Sequence, residues 1–407
     1  MSEAAVNGAL DGIRVIELGQ EIQGPYATLL LADMGADVIK IENRATGDLA
    51  RRTTVGRIAG PEAPHAAFQQ YFLVLNRGKK SITLDLKHPE GKAVFRRLLA
   101  TADVLLTNFR PGVLDRLGFG YDTVHAEFPR LIYAVASSWG PEGPWALRPS
   151  RDMLAQAASG MMGKTGFAGQ PPLPAGSILA DYSGAYMAAS GVLAALYVRE
   201  RSGKGQRVDT SMYGTLISMQ PWEIAQASLT GTENRRAGRG TQFLHGVWGA
   251  FRTADGWIAI AGVDEDRWEV FCTLIGRPDL VDDPHCDNEW RNFRGDKVQA
   301  ILDEILPTRT TDQWMRAFGP NDIFATPVAG YLDVLNSEQA LANNYIRELD
   351  HPATGPIRLA GNPIRLSDAP MRDFVPAPGH GADTESVLSA LGYTADEIAA
   401  LRTGEAI

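Results

Sequence analysis

Residues 13–42 read IRVIELGQEIQGPYATLLLADMGADVIKIE and contain two β-branched runs separated by a helical stretch. The first run is Ile13–Leu18, and the second is Asp37–Glu42. Between them Pro25–Met34 is predicted to be helical, and Gly35 ends it. A strand, a helix and a strand within about thirty residues form the βαβ pattern of a parallel sheet. This stretch therefore predicts an α/β fold.

The same pattern continues downstream in further strand-like runs and helical stretches. The strand-like runs are Ser81–Leu86, Val104–Thr107 and Leu131–Val135. The helical stretches are the amphipathic Pro89–Ala100, the Ala- and Gly-rich Asp181–Glu200, and Gly214–Thr230. The first part of the chain is therefore predicted to form a doubly wound, Rossmann-like sheet.

Composition changes after the last of these helices. Gly231–Gly240 (GTENRRAGRG) is polar, basic and rich in glycine, which predicts a mobile loop. A hairpin signal follows, with strand-like runs at Val247–Phe251 and Trp257–Ile260. We expect a large domain interrupted by a smaller α+β domain. The predicted ranges are 1–224 for the N-terminal part of the large domain, 225–330 for the small domain, and 331–407 for a segment that returns to the large domain.

Charge, cysteine content and hydropathy exclude several classes of protein. The formal net charge is −9, with 39 basic and 48 acidic residues, so nucleic acid is not an expected partner. Cys272 and Cys286 are too few for a disulfide framework, which fits a reduced, cytoplasmic compartment. Residues 1–9 do not have the pattern of a signal peptide. No apolar run approaches ~18 residues, so no membrane span is expected.

Metal-binding and ATP-binding motifs are not evident. The histidines are scattered without metal-ligand spacing, at positions 65, 88, 125, 245, 285, 351 and 380. Ala158–Thr165 (ASGMMGKT) is similar to a phosphate-binding P-loop, but Ala158 replaces the first glycine and no strand precedes it. We therefore expect neither a metal nor ATP as cofactor.

Asp181 is the carboxylate with the strongest case for chemistry. It follows the apolar stretch Ser177–Ala180 and precedes the long helix. One interpretation is structural, because aspartate is a favoured helix N-cap. The other is catalytic, because a helix start offers free N–H groups and a positive dipole end that stabilise a carboxylate and a developing oxyanion. An ionised carboxylate can attack a thioester carbonyl and form a covalent intermediate.

Basic and amide side chains recur in loops near predicted strand ends. They are Asn43, Arg44, Lys79, Lys80, Arg110 and Arg116. Ligands of open α/β sheets bind beyond the carboxyl ends of the strands. These positions therefore predict an anionic, nucleotide-like ligand.

Five stretches, in the same order along the chain, resemble class III (CaiB/BaiF-type) CoA-transferases. They are Gly12–Glu42, Asn76–Gly91, Asn108–Phe119, Leu179–Met212 and Leu391–Leu401. The resemblance implies a Rossmann-like large domain made from both chain ends, a small domain, and an interlocked homodimer. It also implies transfer of coenzyme A from an acyl-CoA donor to a carboxylic acid through an aspartyl anhydride and an aspartyl-CoA thioester.

The resemblance further assigns individual residues. The nucleophile of the family falls on Asp181. The family's CoA contacts fall on Gln20, Ile22, Gln23, Asn43 or Arg44, Lys79, Asn108, Phe109, Arg116 and Met212. Gln20 and Ile22 stand where formyl-CoA transferases have His and Gln, which argues against a formyl or oxalyl substrate.

Two other functions stay open on the same scaffold. The family includes α-methylacyl-CoA racemases, whose Asp matches Asp181 but whose catalytic His falls on Arg151. An arginine cannot serve as that base, which disfavours a racemase or isomerase. Glu265 matches a racemase residue that supports the His, and its role here is undefined. The third possibility is a non-catalytic CoA-binding protein in which Asp181 is only a helix cap.

The acceptor acid is also left open by the sequence. A carnitine-like cation would need an aromatic cage, for which Trp139, Trp145, Trp222 and Trp248 are candidates. Arg148 and Arg151 could instead bind the second carboxylate of a succinate-, malate- or mesaconate-like acid.

Overall fold

The structure is a computed structural model that describes residues 8–52, 70–241, 243–244, 246–284, 286–287, 296–352 and 355–407. The chain divides into two compact units. The first unit comprises Met1–Ser159, Ser177–Met219 and Glu338–Ile407, and the second comprises Gly160–Gly176 and Gln220–Ser337. The predicted ranges 1–224, 225–330 and 331–407, and the interlocked homodimer, stay predictions.

The described strands and helices follow one another in chain order. The strands are β1 (Arg14–Leu18), β2 (Asp37–Glu42), β3 (Lys80–Thr83), β4 (Val104–Thr107), β5 (Ile132–Ser137), β6 (Arg207–Ser211), β7 (Trp248–Arg252), β8 (Trp257–Ala261), β9 (Ala325–Pro327), β10 (Ile346–His351) and β11 (Gly355–Ala360). The helices are α1 (Gln23–Asp33), α2 (Gln70–Asn76), α3 (Pro89–Leu99), α4 (Val113–Leu117), α5 (Tyr121–Glu127), α6 (Asp152–Ala158), α7 (Met161–Lys164), α8 (Leu179–Ser202), α9 (Met212–Ser218), α10 (Pro221–Thr230), α11 (Trp268–Leu274), α12 (Asp296–Ile305), α13 (Thr311–Phe318), α14 (Tyr331–Leu335), α15 (Glu338–Ala342), α16 (Thr384–Ala390) and α17 (Ala395–Thr403).

The centre of the first unit is a six-stranded sheet in the order β3-β2-β1-β4-β5-β6. All neighbouring strands in it are parallel. The order reverses between β1 and β4, which pair so that Leu18 lies opposite Thr107. This is the strand order of a doubly wound sheet. The predicted α/β class is therefore confirmed.

Both faces of this sheet are buried. Val15 of β1 packs on the side that carries α1 and α8, whereas its neighbour Ile16 packs on the side that carries α3, α16 and α17. Successive side chains of a strand point to opposite faces, so each strand needs apolar residues at adjacent positions. This is why the β-branched runs in the sequence are continuous rather than alternating.

The small residues of α8 allow it to lie close to its neighbours, as the composition predicts. A Cβ atom at Gly191 would lie 2.7 Å from Cγ1 of Val208 in β6. A Cβ atom at Gly184 would lie 2.6 Å from Nε2 of Gln23 in α1. Both separations are too short for non-bonded atoms, so larger residues at these positions would displace α1 or β6.

One predicted helix is wrong. The expected single helix Gly214–Thr230 consists of α9 and α10, which are separated at Met219 and Gln220. Pro221 is the first residue of α10. Proline has no N–H to donate and its ring clashes with the carbonyl four residues earlier, so it begins a helix rather than continuing one.

The second unit has its own core. Strands β7, β8 and β9 form an antiparallel sheet, and the predicted hairpin corresponds to β7 and β8. Phe251, Ile258, Phe271, Trp314 and Phe318 are fully or almost fully buried in this unit. In the part of the chain that the structure describes, no helix is sufficiently long and apolar to cross a bilayer.

Candidate active site

A cavity of about 810 Å³ opens in the first unit where residues following β1, β4 and β5 meet. Its position coincides with the reversal of strand order, where doubly wound sheets bind ligands. Asn108, directly after β4, connects two of the loops there. Its Oδ1 accepts the N–H of Gln20 and its Nδ2 donates to the carbonyl of Gln20, both at 2.9 Å. The cavity rim is thus fixed by hydrogen bonds.

Most of the predicted site residues line this cavity. They are Gln20, Ile22, Gln23, Asn108, Phe109, Arg110, Asp181 and Met212. These residues come from four separate parts of the chain, and the parallel sheet brings them to one edge. The structure therefore places the predicted nucleophile and most predicted CoA contacts in one chamber.

Three predicted residues lie on the surface outside this cavity. Asn43 is exposed, and its Oδ1 accepts the N–H groups of Ala45 and Thr46 at 2.9 and 3.0 Å. Arg44 forms an ion pair of 3.2 Å with Glu405. Arg116 is exposed on α4. Their assignment to CoA stays a prediction.

Lys79 also lies outside the cavity, and its environment is unlike that of a ligand contact. Its side chain is fully buried, and Nζ lies 2.8 Å from Glu17 Oε2. The same ammonium donates to the carbonyl of Pro25 and to Oδ1 of Asn76. Burial lowers the pKa of Lys79 to about 8. Three protein acceptors therefore satisfy the three donors of this ammonium.

Asp181 lies in the first turn of α8 and is not its N-cap. The helix begins at Leu179, and the capping position is Ile178, which makes no side-chain bond. The capping acceptor comes from Asp152, whose Oδ1 accepts the N–H of Ala180 at 2.6 Å and of Asp181 at 3.3 Å. The interpretation of Asp181 as an N-cap is therefore wrong, because the helix begins two residues earlier than predicted.

The carboxylate of Asp181 faces the start of a different helix, α1. The backbone N–H of Gln23, the first residue of α1, acts on this carboxylate and lowers its pKa. Asp181 therefore lies in the first turn of its own helix, as the catalytic interpretation requires, and the N-terminus of α1 is a second positive helix end that acts on it. This N–H group is fixed, because Gln23 is 3% exposed and its side-chain amide donates to the carbonyl of Ser137 at 3.3 Å.

The pKa of Asp181 is raised to about 7, chiefly by burial and then by the nearby carboxylates of Asp152 and Glu21. The N–H of Gln23 and the guanidinium of Arg151 lower this pKa without offsetting the increase. A carboxylate with a raised pKa is more basic, and basicity generally accompanies nucleophilic strength. The side chain is therefore ionised above neutral pH and more basic than an exposed aspartate.

Glu21, Asp152 and Tyr71 line the cavity and were not found by sequence reasoning. Glu21 has a φ of 61°, in the left-handed region that few residues other than glycine adopt. Burial raises the pKa of the Tyr71 hydroxyl, as do the charges of Glu21 and Asp181, so Tyr71 remains a hydrogen-bond donor.

Comparison with known proteins identifies the family. The family model described as CoA-transferase family III matches residues 10–384. The chain belongs to CoA-transferase family III. It is 35% identical to a succinyl-CoA:mesaconate CoA-transferase of Haloarcula hispanica, over 91% of this chain and 92% of the relative. It is 34% identical to an acetyl-CoA:oxalate CoA-transferase of Acetobacter aceti, over 89% of this chain and 90% of the relative.

Solved structures agree with this membership. A CAIB/BAIF family protein from Brucella suis is similar with a TM-score of 0.81 and 28% identity, covering 95% of this chain and 100% of that chain. Rv3272 from Mycobacterium tuberculosis is similar with a TM-score of 0.79 and 31% identity, covering 93% of this chain and 99% of that chain. The predicted family and enzyme class are confirmed.

Guanidinium groups surround the cavity of this CoA-transferase. Arg110, Arg148 and Arg151 all line it. Arg151 forms an ion pair of 3.0 Å with Glu21. Neither Arg110 nor Arg148 forms an ion pair with any residue that the structure describes, and Arg148 lies over the ring of Trp145 at 5.1 Å. Two cationic groups are therefore available to an anionic ligand.

The four tryptophans proposed for a cation cage are divided between the two units. Trp139 and Trp145 pack edge-to-face at 5.2 Å and both contact Tyr213. Trp222 belongs to the second unit and stacks on Phe243 at 3.9 Å. Trp248 also belongs to the second unit, where its indole lies against Gly262. The ring contacts leave Trp139 and Trp145 covering each other rather than enclosing an open space.

No residue in the described cavity wall matches the base of a racemase. Arg151 is exposed and paired with Glu21. The cavity wall includes none of the histidines that the structure describes, at positions 88, 125, 351 and 380. Positions 65, 245 and 285 lie outside the described residues. Glu265 is an exposed residue of the second unit.

Proposed function

We propose that this family III enzyme transfers CoA between carboxylic acids with Asp181 as the nucleophile. One observation carries the proposal. Asp181 lines a cavity at the strand-order reversal together with Gln23, whose N–H at the start of α1 lowers the pKa of the Asp181 carboxylate. A carboxylate so placed can attack a bound thioester, and the same N–H is positioned to stabilise negative charge that develops beside it.

The reaction proceeds by two exchanges on Asp181. The carboxylate attacks the carbonyl of the donor acyl-CoA, the C–S bond breaks, and a mixed anhydride forms as CoA thiolate leaves. The thiolate attacks the aspartyl carbonyl of the anhydride, which releases the donor acid and leaves an aspartyl-CoA thioester. The acceptor carboxylate attacks this thioester and again expels the thiolate. The thiolate then attacks the acceptor carbonyl of the new anhydride, which gives the product thioester and frees Asp181.

This exchange requires no external source of free energy. An activated acyl bond, thioester or anhydride, is present at every step, and no proton is consumed overall. The raised pKa of Asp181 supports the first attack. A carboxylate that its surroundings stabilise only weakly loses little stabilisation when it attacks the thioester, so the barrier is lower than for a strongly stabilised anion. Burial of the cavity wall also limits the access of water to the anhydride.

The lining residues suggest how acyl-CoA is held. The pantetheine arm would pass Gln20, Ile22, Phe109 and Met212 to bring the thioester to Asp181. Arg110, exposed at the cavity and without an ion pair among the described residues, is suited to a phosphate group. Asn43, Arg44 and Arg116 would serve only parts of the nucleotide that extend beyond the cavity. Lys79 is left out of this proposal because protein acceptors already satisfy its ammonium.

The acceptor that fits best is a dicarboxylic acid. After one carboxylate reaches Asp181, a second would find the unpaired guanidinium of Arg148, which can bind it through two parallel hydrogen bonds. The paired rings of Trp139 and Trp145 offer no comparable cage for a trimethylammonium group. Relatives named for mesaconate and glutarate, both dicarboxylates, support this choice.

Replacement of Arg148 by methionine tests this assignment of the acceptor. R148M is expected to raise KM for a dicarboxylate acceptor by about 10-fold, because a charge-assisted hydrogen bond contributes ~1.5–3 kcal/mol. KM for a monocarboxylate of similar size should change less than about twofold. Steady-state kinetics with a panel of paired acids measures both.

The matched control is R97M. Arg97 is also exposed, and its guanidinium lies over an aromatic ring, that of Tyr393, at 3.9 Å outside the cavity. R97M should leave both KM values unchanged. Equal changes of KM for dicarboxylates and monocarboxylates in R148M would contradict the assignment.

Trapping of the acyl-enzyme tests the central proposal. Incubation with an acyl-CoA and then hydroxylamine is expected to convert Asp181 to a hydroxamate, which peptide mass spectrometry locates. Incubation in heavy water without an acceptor acid is expected to leave the carbon next to the thioester without deuterium. No adduct with any acyl-CoA would favour a binding protein, and deuterium incorporation would favour a racemase.

A further inference from the structure

Four buried charged side chains form a connected set of ion pairs, here called the buried ion cluster. They are Glu17, Lys40, Asp48 and Lys79, and each side chain is 0% exposed. Lys40 Nζ lies 2.7 Å from both Glu17 Oε1 and Asp48 Oδ2. Lys79 Nζ lies 2.8 Å from Glu17 Oε2. Two acids and two bases make the cluster neutral as a whole.

Three members of the buried ion cluster bind the main chain of residues 19–25, the segment that comprises the loop after β1 and the first three residues of α1. The three bonds run from Lys40 Nζ to the carbonyl of Gly19 (2.8 Å), from the N–H of Glu21 to Asp48 Oδ1 (3.1 Å), and from Lys79 Nζ to the carbonyl of Pro25 (2.7 Å). The segment is therefore held at its beginning, middle and end.

The middle bond holds a conformation that the segment would not adopt freely. Glu21 has a φ of 61°, which an L-residue with a long side chain disfavours. Its N–H is fixed by Asp48 while its carboxylate pairs with Arg151 at 3.0 Å. Strained residues persist where the surroundings impose them, and such positions concentrate at functional sites.

Stability alone does not explain the buried ion cluster. Removing four charges from water has a large cost, and apolar residues of similar volume often replace buried ion pairs without loss of stability. The bonds to residues 19–25 provide another reason. This segment supplies two of the four groups that act on the pKa of Asp181 from outside its own helix, the N–H of Gln23 and the carboxylate of Glu21.

We propose that the buried ion cluster is a positioning device, which holds residues 19–25 so that the N–H of Gln23 and the carboxylate of Glu21 face Asp181. Its members are positioning residues and contact no substrate. The inference rests on the proposed role of Asp181 as nucleophile. It assigns Lys79 to this device instead of to CoA.

Two variants separate positioning from stability. D48A removes the acceptor of the Glu21 N–H and leaves one unbalanced positive charge in the buried ion cluster, so both the melting temperature and the rate of acyl-enzyme formation should fall. D48A/K40M removes that charge, so the melting temperature should recover part of its loss. The rate should nevertheless stay about 10- to 100-fold below wild type, because two of the three bonds to the segment are absent. If D48A does not fold, the double variant carries the test.

The matched controls use the ion pair of Asp33 and Arg77, at the other end of α1. This pair is also buried, with a separation of 2.7 Å, and Arg77 lies over Phe374 rather than against residues 19–25. D33A should lower the melting temperature and D33A/R77M should restore part of it. Both should keep the single-turnover rate of hydroxylamine-trappable acyl-enzyme within about twofold of wild type.

Recovery of the wild-type rate in D48A/K40M together with its melting temperature would overturn the inference, because the cluster would then be only structural.

A second readout applies even if wild type forms no acyl-enzyme and the proposed function fails. Carbon-13 NMR of γ-labelled aspartates measures the pKa of Asp181 directly. The pKa of Asp181 should move by at least about half a unit in D48A/K40M and stay unchanged in D33A/R77M. The same Asp181 pKa in the two double variants would also overturn the inference.

Discussion

Alanine at position 181 is expected to lower kcat/KM for CoA transfer by at least about 10³-fold, because removal of a covalent nucleophile eliminates the anhydride route. Binding of acyl-CoA should persist, since many residues from separate parts of the chain line the cavity and Asp181 is only one of them. The dissociation constant, measured by calorimetry, should stay within about threefold of wild type. D181N should give the same result while preserving side-chain shape.

The chain offers a matched control for this loss. Asp33 is also a buried carboxylate of the first unit, and burial raises its pKa to about 6 despite the adjacent Arg77. It lies outside the cavity, so D33N should reduce stability without reducing kcat by more than about threefold. Retained turnover in D181A would exclude the proposed nucleophile, and an equal loss in D33N would attribute the effect to general destabilisation.

The fold was predictable because its signals are local. The stretch 13–42 contains a complete βαβ unit, and its two strands are found at Arg14–Leu18 and Asp37–Glu42. Both faces of a doubly wound sheet are buried, so its strands appear as continuous apolar runs that need no knowledge of their partners. The strand order also explains why residues distant in sequence meet at one edge.

The site was predictable only in part. Which residue caps a helix, and which way a side chain points, depend on the exact residue at which each helix or strand begins. An aspartate at the start of α8 was expected, but the acceptor that caps this helix is Asp152, 29 residues away. Lys79 and Lys80 show the same limitation. Adjacent residues of an extended segment point to opposite sides, so Lys80 is exposed beside Asp37 while Lys79 is buried against Glu17.

Glu21 could not be predicted at all from its residue type. Glutamate rarely adopts a positive φ, and the conformation is imposed by Asp48, 27 residues later in the chain. The charges that raise the pKa of Asp181 also come from distant positions, Asp152 and Glu21. Sequence can suggest a nucleophile, whereas its ionisation depends on neighbours that only the fold brings together.

The pH dependence of acyl-enzyme formation follows from that ionisation. In the proposed mechanism the reactive species is the Asp181 carboxylate, whose pKa is about 7. The rate at saturating acyl-CoA should therefore reach a plateau above about pH 8 and fall nearly tenfold per unit below about pH 6, giving a loss of about 30- to 100-fold at pH 5 relative to pH 8. An ordinary aspartate, with a pKa of ~3.9, would give a constant rate over this range.

Replacement of Asp152 tests whether neighbouring carboxylates raise the pKa of Asp181. The negative charge of Asp152 raises the pKa of Asp181, so in D152N the midpoint of the profile should move below pH 7. The variant should thus lose less of its plateau rate at pH 5 than wild type, even if the loss of a charged cap reduces the plateau itself. Single-turnover trapping with hydroxylamine quench, from pH 5 to pH 8.5, measures both curves. A wild-type profile without a midpoint near pH 7, or an unchanged midpoint in D152N, would show that the neighbouring carboxylates do not set the reactivity of Asp181.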